Sequence, residues 1–403
     1  MIRYLVGIVS SAALAVPALA SGLPQQNPSD DRAQRYYVPP MTGQALNATE
    51  ADARLAILAP TSDPIRHTID YEIWDWALKN IVISMGPSNR KTGGQPAPVL
   101  GTRIKQGPQS RYRLEGSLVL FRFFDRKIID SFTAYRQDLE QVTETLDISA
   151  LPRNEQLAFW LNLHNVALLE QLSREWPLRE PREVTIDGVP LDEARFITVK
   201  GVPVSLRDIR ENIVFRHWKD PKVIYGFWRG EIGGPALQRY AFTGANVGSL
   251  LDVAAADFVN SLRGTQKWGN RLEVASLYAE VAPFYFADFD TDLRAHLSNY
   301  AEGPVAELLS ETSVTRAAIS EPDIADLHGG ARPPIYNALG TLAGANDGQF
   351  YGCSDRVGQA ACNLLEQRAT KLQTMKRRGQ PTGRVFFSNI DLPGDPPNKD
   401  AVE

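Results

Sequence analysis

The pattern of apolar and polar positions along the chain predicts a mainly helical protein. At residues 157–165, Leu157, Trp160, Leu161 and His164 recur at the spacing that puts side chains on one face of an α-helix. Comparable periodicity predicts further helices at residues 69–84, 126–146, 247–262, 277–284, 291–300 and 360–378. The helix at 157–165 is unusual because strongly polar side chains share its apolar surroundings.

Short apolar runs bounded by turn residues predict a few strands. They lie at residues 184–186, at 196–204 as a hairpin, at 223–228 and at 272–274. Ser205 followed by Asp208 has the spacing of a capping box and predicts a helix start there. Many helices with few strands indicate an α+β fold, mainly helical with a small mixed sheet in the central domain.

The first 20 residues have the pattern of a cleavable secretory signal peptide. Arg3 precedes an apolar run, and the sequence Ala18-Leu19-Ala20 offers a cleavage site. The apolar run is too short to span a bilayer, and Ser21 rather than a cysteine follows the cleavage site. We therefore expect a secreted protein, in the bacterial periplasm, without a transmembrane anchor.

The composition along the chain predicts four segments. A signal peptide at 1–20 is followed by a polar N-terminal arm at 21–65, a main domain at 66–320 and a C-terminal extension at 321–403. The extension is expected to contain a helix clipped by a disulfide and to end in a disordered tail. Within the main domain, the Gly- and Pro-rich stretch 86–110 predicts a long loop, either an exposed insertion or a partner-binding element.

The chain has two cysteines, Cys353 and Cys362, and an oxidising compartment favours a disulfide between them. On one continuous helix their α-carbons would lie about 13.5 Å apart, beyond the roughly 7 Å that a disulfide allows. The chain must therefore turn between them, and Gly358 is the expected place. Two free thiols are the alternative.

Charge and motifs exclude several classes of function. The chain carries 43 basic and 47 acidic residues, which gives no electrostatic basis for a nucleic-acid partner. The sequence lacks the G-x-S-x-G, Walker, H-E-x-x-H and C-x-x-C motifs. Its five histidines are scattered without metal-ligand spacing, so neither a metal nor a cofactor is predicted.

Two polar elements remain as candidate sites. On the helix at 157–165, His164 would serve as a general base or as a ligand contact, oriented by Asn162 and Asn165. In the alternative, which we favour, the three side chains form a core network whose hydrogen bonds are satisfied within the protein. The Gly-rich turn after residue 228 would present Glu231 as an acid or bind an anion through its backbone N–H groups. The alternative is a simple tight connection between two elements.

Aromatic and basic side chains near these elements are candidate ligand contacts. Trp160 and Trp228 belong to an aromatic cluster that suits a sugar or peptide if it lines a cleft, and Arg229 adds a charge beside it. Core packing is the alternative for the aromatic residues.

The same elements resemble the family called domain of unknown function 547. The resemblance covers about residues 110–300 and rests on the order and spacing of its motifs. They are a Phe-Trp pair with an Asn-containing run at 157–165, a Gly, Leu, Asp-Ile segment at 201–215, a strand and Cys-Pro turn at 222–237, and a Leu, Ser, aromatic, Asp-Phe stretch at 272–289.

The resemblance implies a site with a Cys before the proline of the turn and a Glu-His pair in the short helix. Here Gly234 precedes Pro235, and Arg210 with Glu211 stand at the Glu-His positions. His164 stands where the family usually carries Tyr. Because a nucleophilic site needs a thiol and an imidazole, we interpret the chain as a divergent member that leans towards a non-enzyme.

Three functional hypotheses follow. The first is a non-catalytic ligand-binding or scaffolding module of the cell envelope, whose ligand or protein partner the sequence does not identify. The second is a hydrolase or acyl transferase that uses His164 and Glu231 as base and acid, which requires the two side chains to share a cavity. The third is a partner-binding protein that acts through loop 86–110.

Overall fold

The structure is a computed structural model that describes residues 53–61, 67–94, 107–332, 357–389 and 401–403. In the unit formed by Leu55–Glu403, helices predominate and the strands are short. The fold is therefore α+β and mainly helical, as the sequence predicts. The expected signal peptide, most of the expected arm, and Cys353 lie outside the described residues.

The helices occur where the periodicity predicts them, except the one at Pro304–Glu311, which was not predicted. They are α1 (Glu72–Ile81), α2 (Arg126–Thr145), α3 (Arg153–Glu175), α4 (Val247–Val259), α5 (Leu277–Tyr285), α6 (Phe289–Ser298), α7 (Pro304–Glu311) and α8 (Gln359–Arg377). The first predicted helix is too long, because residues 82–84 leave it to form a strand. The polar Asp125 accepts a hydrogen bond from the Ile128 N–H and begins α2 as a normal N-cap.

Helix α3 lies at the centre of the core. It packs against α2, α4 and the helical segment that follows residue 205. Its side chains from Leu157 to Leu169 are buried on every face, not only along the apolar stripe. A helix surrounded on all sides must satisfy its polar groups within the protein, and this condition applies to Asn162, His164 and Asn165.

The strands form small separate sheets. They are β1 (Val82–Ser84), β2 (Ser117–Val119), β3 (Thr185–Ile186), β4 (Val189–Pro190), β5 (Ile197–Val199), β6 (Val202–Val204), β7 (Thr265–Trp268), β8 (Arg271–Ala275) and β9 (Val314–Ile319). β3–β4 and β5–β6 are the predicted hairpins. In the three-stranded sheet β7–β8–β9, the first pair is antiparallel and the second parallel, which makes this sheet mixed.

The predicted strand at 223–228 is wrong. Residues Pro221–Gly226 form a 3₁₀-helix, and the Asp220 carboxylate caps it by accepting from the Lys222 N–H at 2.9 Å. A proline at the first position and an Asp before it favour a helical start. The apolar run misled the prediction because a short buried run suits a strand and a buried helical turn equally well.

The predicted capping box is present. The Ser205 hydroxyl accepts from the Asp208 N–H at 3.0 Å, and the Asp208 carboxylate accepts from the Ser205 N–H at 3.1 Å. The helix that follows is a π-helix over Asp208–Val214, which continues as an α-helical turn over Phe215–His217. A π-helical segment is rare and often occurs at functional sites.

Helix α8 is anchored to the main domain by a buried lysine. The Lys371 ammonium donates to the carbonyls of Leu114 at 2.8 Å, Pro87 at 3.0 Å and Gly86 at 3.3 Å. Cys362 is buried in the first half of this helix, and its predicted pairing with Cys353 stays a prediction.

Two parts of the predicted organisation are only partly described. Of loop 86–110, residues 95–106 lie outside the described residues, while Gly93 donates its N–H to the Arg111 carbonyl at 2.8 Å. Of the expected disordered tail, residues 390–400 lie outside as well, but Val402 is buried and donates its N–H to the Asn154 side chain at 2.8 Å.

The described part of the chain contains neither a membrane-spanning helix nor a cluster of metal-binding side chains. None of its helices combines the length and the apolar character needed to cross a bilayer. Nor do His, Cys, Asp and Glu side chains gather there in a group of three or more suited to a metal ion.

Lys371, the buried lysine that anchors α8, predicts that the stability of the protein depends on pH. Burial lowers the pKa of Lys371 from 10.5 to about 8. Between these values the unfolded chain binds the proton more strongly than the folded chain, so stability rises with pH. We expect a gain of about 3 kcal/mol in the free energy of unfolding across that window, relative to Lys371→Met. Denaturant titrations of both proteins from pH 8 to 10.5 measure it, and a constant difference between them would contradict the prediction.

Candidate functional site

A cavity of about 290 Å³ opens between the β3–β4 hairpin, the π-helix and the glycine-rich turn. Its wall combines four arginines and four acidic residues with an apolar part of about the same area. The charged members are Arg182, Asp192, Arg207, Arg210, Arg229, Glu231, Glu280 and Glu321. Such a mixture of convergent charges and a concave shape is typical of a small-molecule site.

Arg210 is the most deeply buried of these arginines, with 1% of its surface exposed. The π-helix carries it to the cavity wall, one turn after the capping box. One guanidinium nitrogen, Nη2, donates to the Asp192 carboxylate at 2.7 Å, and Nη1 donates to His164 Nε2 at 3.0 Å. Arg210 Nε contacts no acceptor among the described residues.

His164 is fully buried behind Arg210 and acts as its acceptor. Because a guanidinium can only donate, the Nε2 atom of His164 must be unprotonated, and its Nδ1–H donates to Asn165 Oδ1 at 3.1 Å. Burial, followed by the charge of Arg210, lowers the pKa of His164 well below its usual value. The imidazole is therefore neutral, and both of its nitrogens are occupied.

The two asparagines of α3 are bonded to backbone groups of neighbouring segments. Asn165 Oδ1 also accepts from the Trp228 N–H at 3.1 Å, and its Nδ2 donates to the Gly226 carbonyl at 2.9 Å. Asn162 makes the same pair of bonds with Phe242, at 2.7 and 3.1 Å. These contacts fit a satisfied core network, which ties α3 to two other segments.

The glycine-rich turn brings Arg229 and Glu231 to the cavity. The Glu231 carboxylate accepts two hydrogen bonds from Arg182, at 2.8 and 3.0 Å. Burial raises the pKa of Glu231, and Arg182 partly offsets this effect. Arg229 donates to the Glu280 carboxylate at 2.6 Å, and 53% of the Glu280 side chain is exposed.

Asp192 links two arginines of the wall, the buried Arg210 and the more exposed Arg207. It accepts from Arg210 and also from Arg207, at 3.3 Å. Burial acts to raise the pKa of Asp192, but the charge and hydrogen bond of Arg210, together with the charge of Arg229, outweigh burial, and the pKa lies below its usual range. Asp192 is therefore ionised and balances the buried guanidinium.

Of the residues predicted from sequence, Glu231 and Arg229 line the cavity. The others lie in the core, and none of them is among the described residues of the cavity wall: Trp160, Asn162, His164, Asn165 and Trp228. The two tryptophans pack against Phe159 and Phe121. Among the described residues of this cavity wall, Glu231 is thus present and His164 is not.

Apart from Arg229, the arginines and acids that surround Glu231 were not predicted from the sequence. The sequence contained one indication of this cavity, because Arg210 and Gly234 are among the positions at which the chain is expected to depart from the family pattern. The structure brings both to the same cavity, although 24 positions separate them in the sequence. Two of the positions at which the chain is expected to depart from the family pattern thus meet in space.

Comparison with known proteins gives one match. The family model described as "Protein of unknown function, DUF547" matches residues 148–259. The matched segment includes α3, both hairpins, the π-helix and the glycine-rich turn, whereas Glu280 and Glu321 lie beyond it. No curated protein and no solved structure matches the chain.

The bond between His164 and Arg210 predicts different effects for two substitutions. His164→Leu leaves a buried guanidinium donor without its acceptor, and we expect a loss of about 1–3 kcal/mol in the free energy of unfolding. In His164→Gln the side-chain oxygen can reach the position of Nε2, so at least half of that loss should be recovered. Denaturant unfolding of the three proteins measures both effects, and equal stability of the Leu variant and the wild type would contradict them.

Proposed function

Residues 148–259 match the DUF547 family model, and on this basis we propose that the chain is a non-catalytic ligand-binding module of the bacterial cell envelope. The ligand is a small soluble molecule that occupies the cavity beside the π-helix. The envelope location rests on the signal peptide expected at residues 1–20.

The proposal rests on one observation, which is that Arg210 and Gly234 line the same cavity. In the family pattern these positions belong to a Glu-His pair and a Cys, the side chains that a nucleophilic site would use. Here the first is a buried guanidinium and the second has no side chain. A concave site that keeps its charge but has neither thiol nor imidazole supports binding rather than covalent catalysis.

The geometry gives less support to a hydrolase or acyl transferase that uses His164 and Glu231. A general base must reach the proton that it removes. His164 is enclosed behind Arg210, with one nitrogen accepting and the other donating. Glu231 is held by two hydrogen bonds from Arg182. For partner binding through loop 86–110, no described contact provides an argument.

Binding at the cavity is testable by thermal shift with the mature chain, starting at Ser21. We expect at least one of three ligand classes, peptidoglycan fragments, peptides or sugars, to raise the melting temperature, because a ligand at 100 times its Kd stabilises by about 2.7 kcal/mol. Ser320→Trp, which places a large ring at the cavity rim, should abolish that shift. Ser313→Trp is the matched control, since Ser313 is exposed in the same segment but is not among the described residues of the wall.

A second measurement addresses catalysis. Chromogenic ester and peptide substrates should show no turnover above background with the wild-type chain. Turnover that Ser320→Trp removes would overturn the non-catalytic part of the proposal. Equal ligand-induced shifts in both tryptophan variants would place binding away from this cavity.

A further inference from the structure

The glycines of the turn at the cavity differ in what their backbone requires. A Cβ at Gly233 would lie 2.8 Å from the backbone N and O of Glu321, so this glycine is needed for the close approach of two chain segments. A Cβ at Gly234 would lie 3.3 Å from the Arg229 Cβ, and its nearest backbone neighbour would be 3.7 Å away. Gly234 could therefore carry a side chain after a small shift of Arg229. Its missing side chain instead leaves space in the cavity.

Arg229 lies against that space, and its partner is more exposed than the partners of Arg182 and Arg210. Arg182 makes two bonds to the well-covered Glu231, and Arg210 is held by Asp192 and His164. Arg229, in contrast, bonds Glu280, whose side chain is 53% exposed. A solvent-exposed ion pair contributes little stability, so a ligand can replace it at low cost.

The charges of the cavity match a single negative group. The four arginines and four acids of the described wall balance one another. If Glu280 turns towards solvent, one positive charge remains near Arg229. The group that now contacts Arg229 is a carboxylate, at 2.6 Å, which demonstrates that this chemistry fits the guanidinium.

A second guanidinium adds to the attraction. Arg210 and Arg229 line the same cavity, and burial, followed by the positive charge of Arg229, lowers the pKa of Arg210. Arg210 also has a nitrogen, Nε, without an acceptor in the described part of the chain. A negative group bound beside both arginines would offset the unfavourable interaction of their positive charges.

We propose that the ligand of this cavity carries a carboxylate, which binds Arg229 and Arg210 and occupies the space over Gly234. This inference rests on the proposed function and names the chemical class of its ligand. Glu280 holds the place of the ligand carboxylate until the ligand binds. Gly234 determines specificity, because any side chain there would fill the space that the carboxylate needs.

The test compares two probes that differ only in charge. N-acetylalanine carries a carboxylate, and its amide does not. We expect calorimetric titration of the mature chain to give at least about tenfold tighter binding of the acid, since hydrogen bonds to a charged group are the stronger ones. Arg229→Gln should remove the preference, and Gly234→Val should weaken binding of the acid by a similar factor.

Each variant has a matched control. Arg239→Gln removes an exposed guanidinium that is not among the described residues of the cavity wall, and Gly383→Val adds a side chain where a Cβ meets no atom within 4 Å. Both controls should bind the acid as the wild type does. Unfolding curves of all four variants establish that loss of binding is not loss of fold.

Several results would overturn the inference. Equal binding of acid and amide, both abolished by Ser320→Trp, would reject the carboxylate while leaving the ligand-binding function intact. Selective binding that survives Arg229→Gln would reject the assigned contacts. Inorganic phosphate binding in place of the acid would reject the single-charge argument. If neither probe nor any of the three ligand classes binds at millimolar concentration, the proposed function fails as well.

Discussion

The buried guanidinium of Arg210 is the constraint on which the architecture around the cavity depends. A charge removed from water must be paired and hydrogen-bonded within the protein, or the fold loses several kcal/mol. Asp192 supplies the opposite charge, and His164 supplies a neutral acceptor. Asn165 then fixes His164 and joins α3 to the segment from Gly226 to Trp228. Arg210 thus determines the hydrogen-bond partners of Asp192 and His164 and, through His164, one partner of Asn165.

Local patterns predicted the elements well because each depends on neighbouring residues. The helix around residue 160, both hairpins and the capping box at Ser205 occur as expected. The segment at 223–228 was misassigned because burial removes the periodicity that separates a strand from a 3₁₀-helix. The polar residues of α3 were correctly singled out, but their partners could not be, since these come from segments 46 to 80 positions away.

The cavity was less predictable for a related reason. Its charged side chains come from the β3–β4 hairpin, the π-helix, the glycine-rich turn and two later segments. Each looks like an ordinary surface charge in the sequence, and only the fold brings them together. Arg210 and Gly234 were visible as departures from a family pattern, yet nothing local indicates that they share a wall. A pair of distant departures is a stronger sign of a site than either residue alone.

The two departures are also physically consistent with each other. A cysteine at position 234 would stand beside Arg229, where positive charge favours a thiolate and covalent chemistry. Without that side chain, the same positive charge is left facing open space, with an exposed glutamate as its present partner. The electrostatics that would activate a nucleophile are then suited to holding an anionic group. On the proposed function, the absence of a side chain at Gly234 therefore leaves room for a ligand beside positive charges that the fold already holds in place.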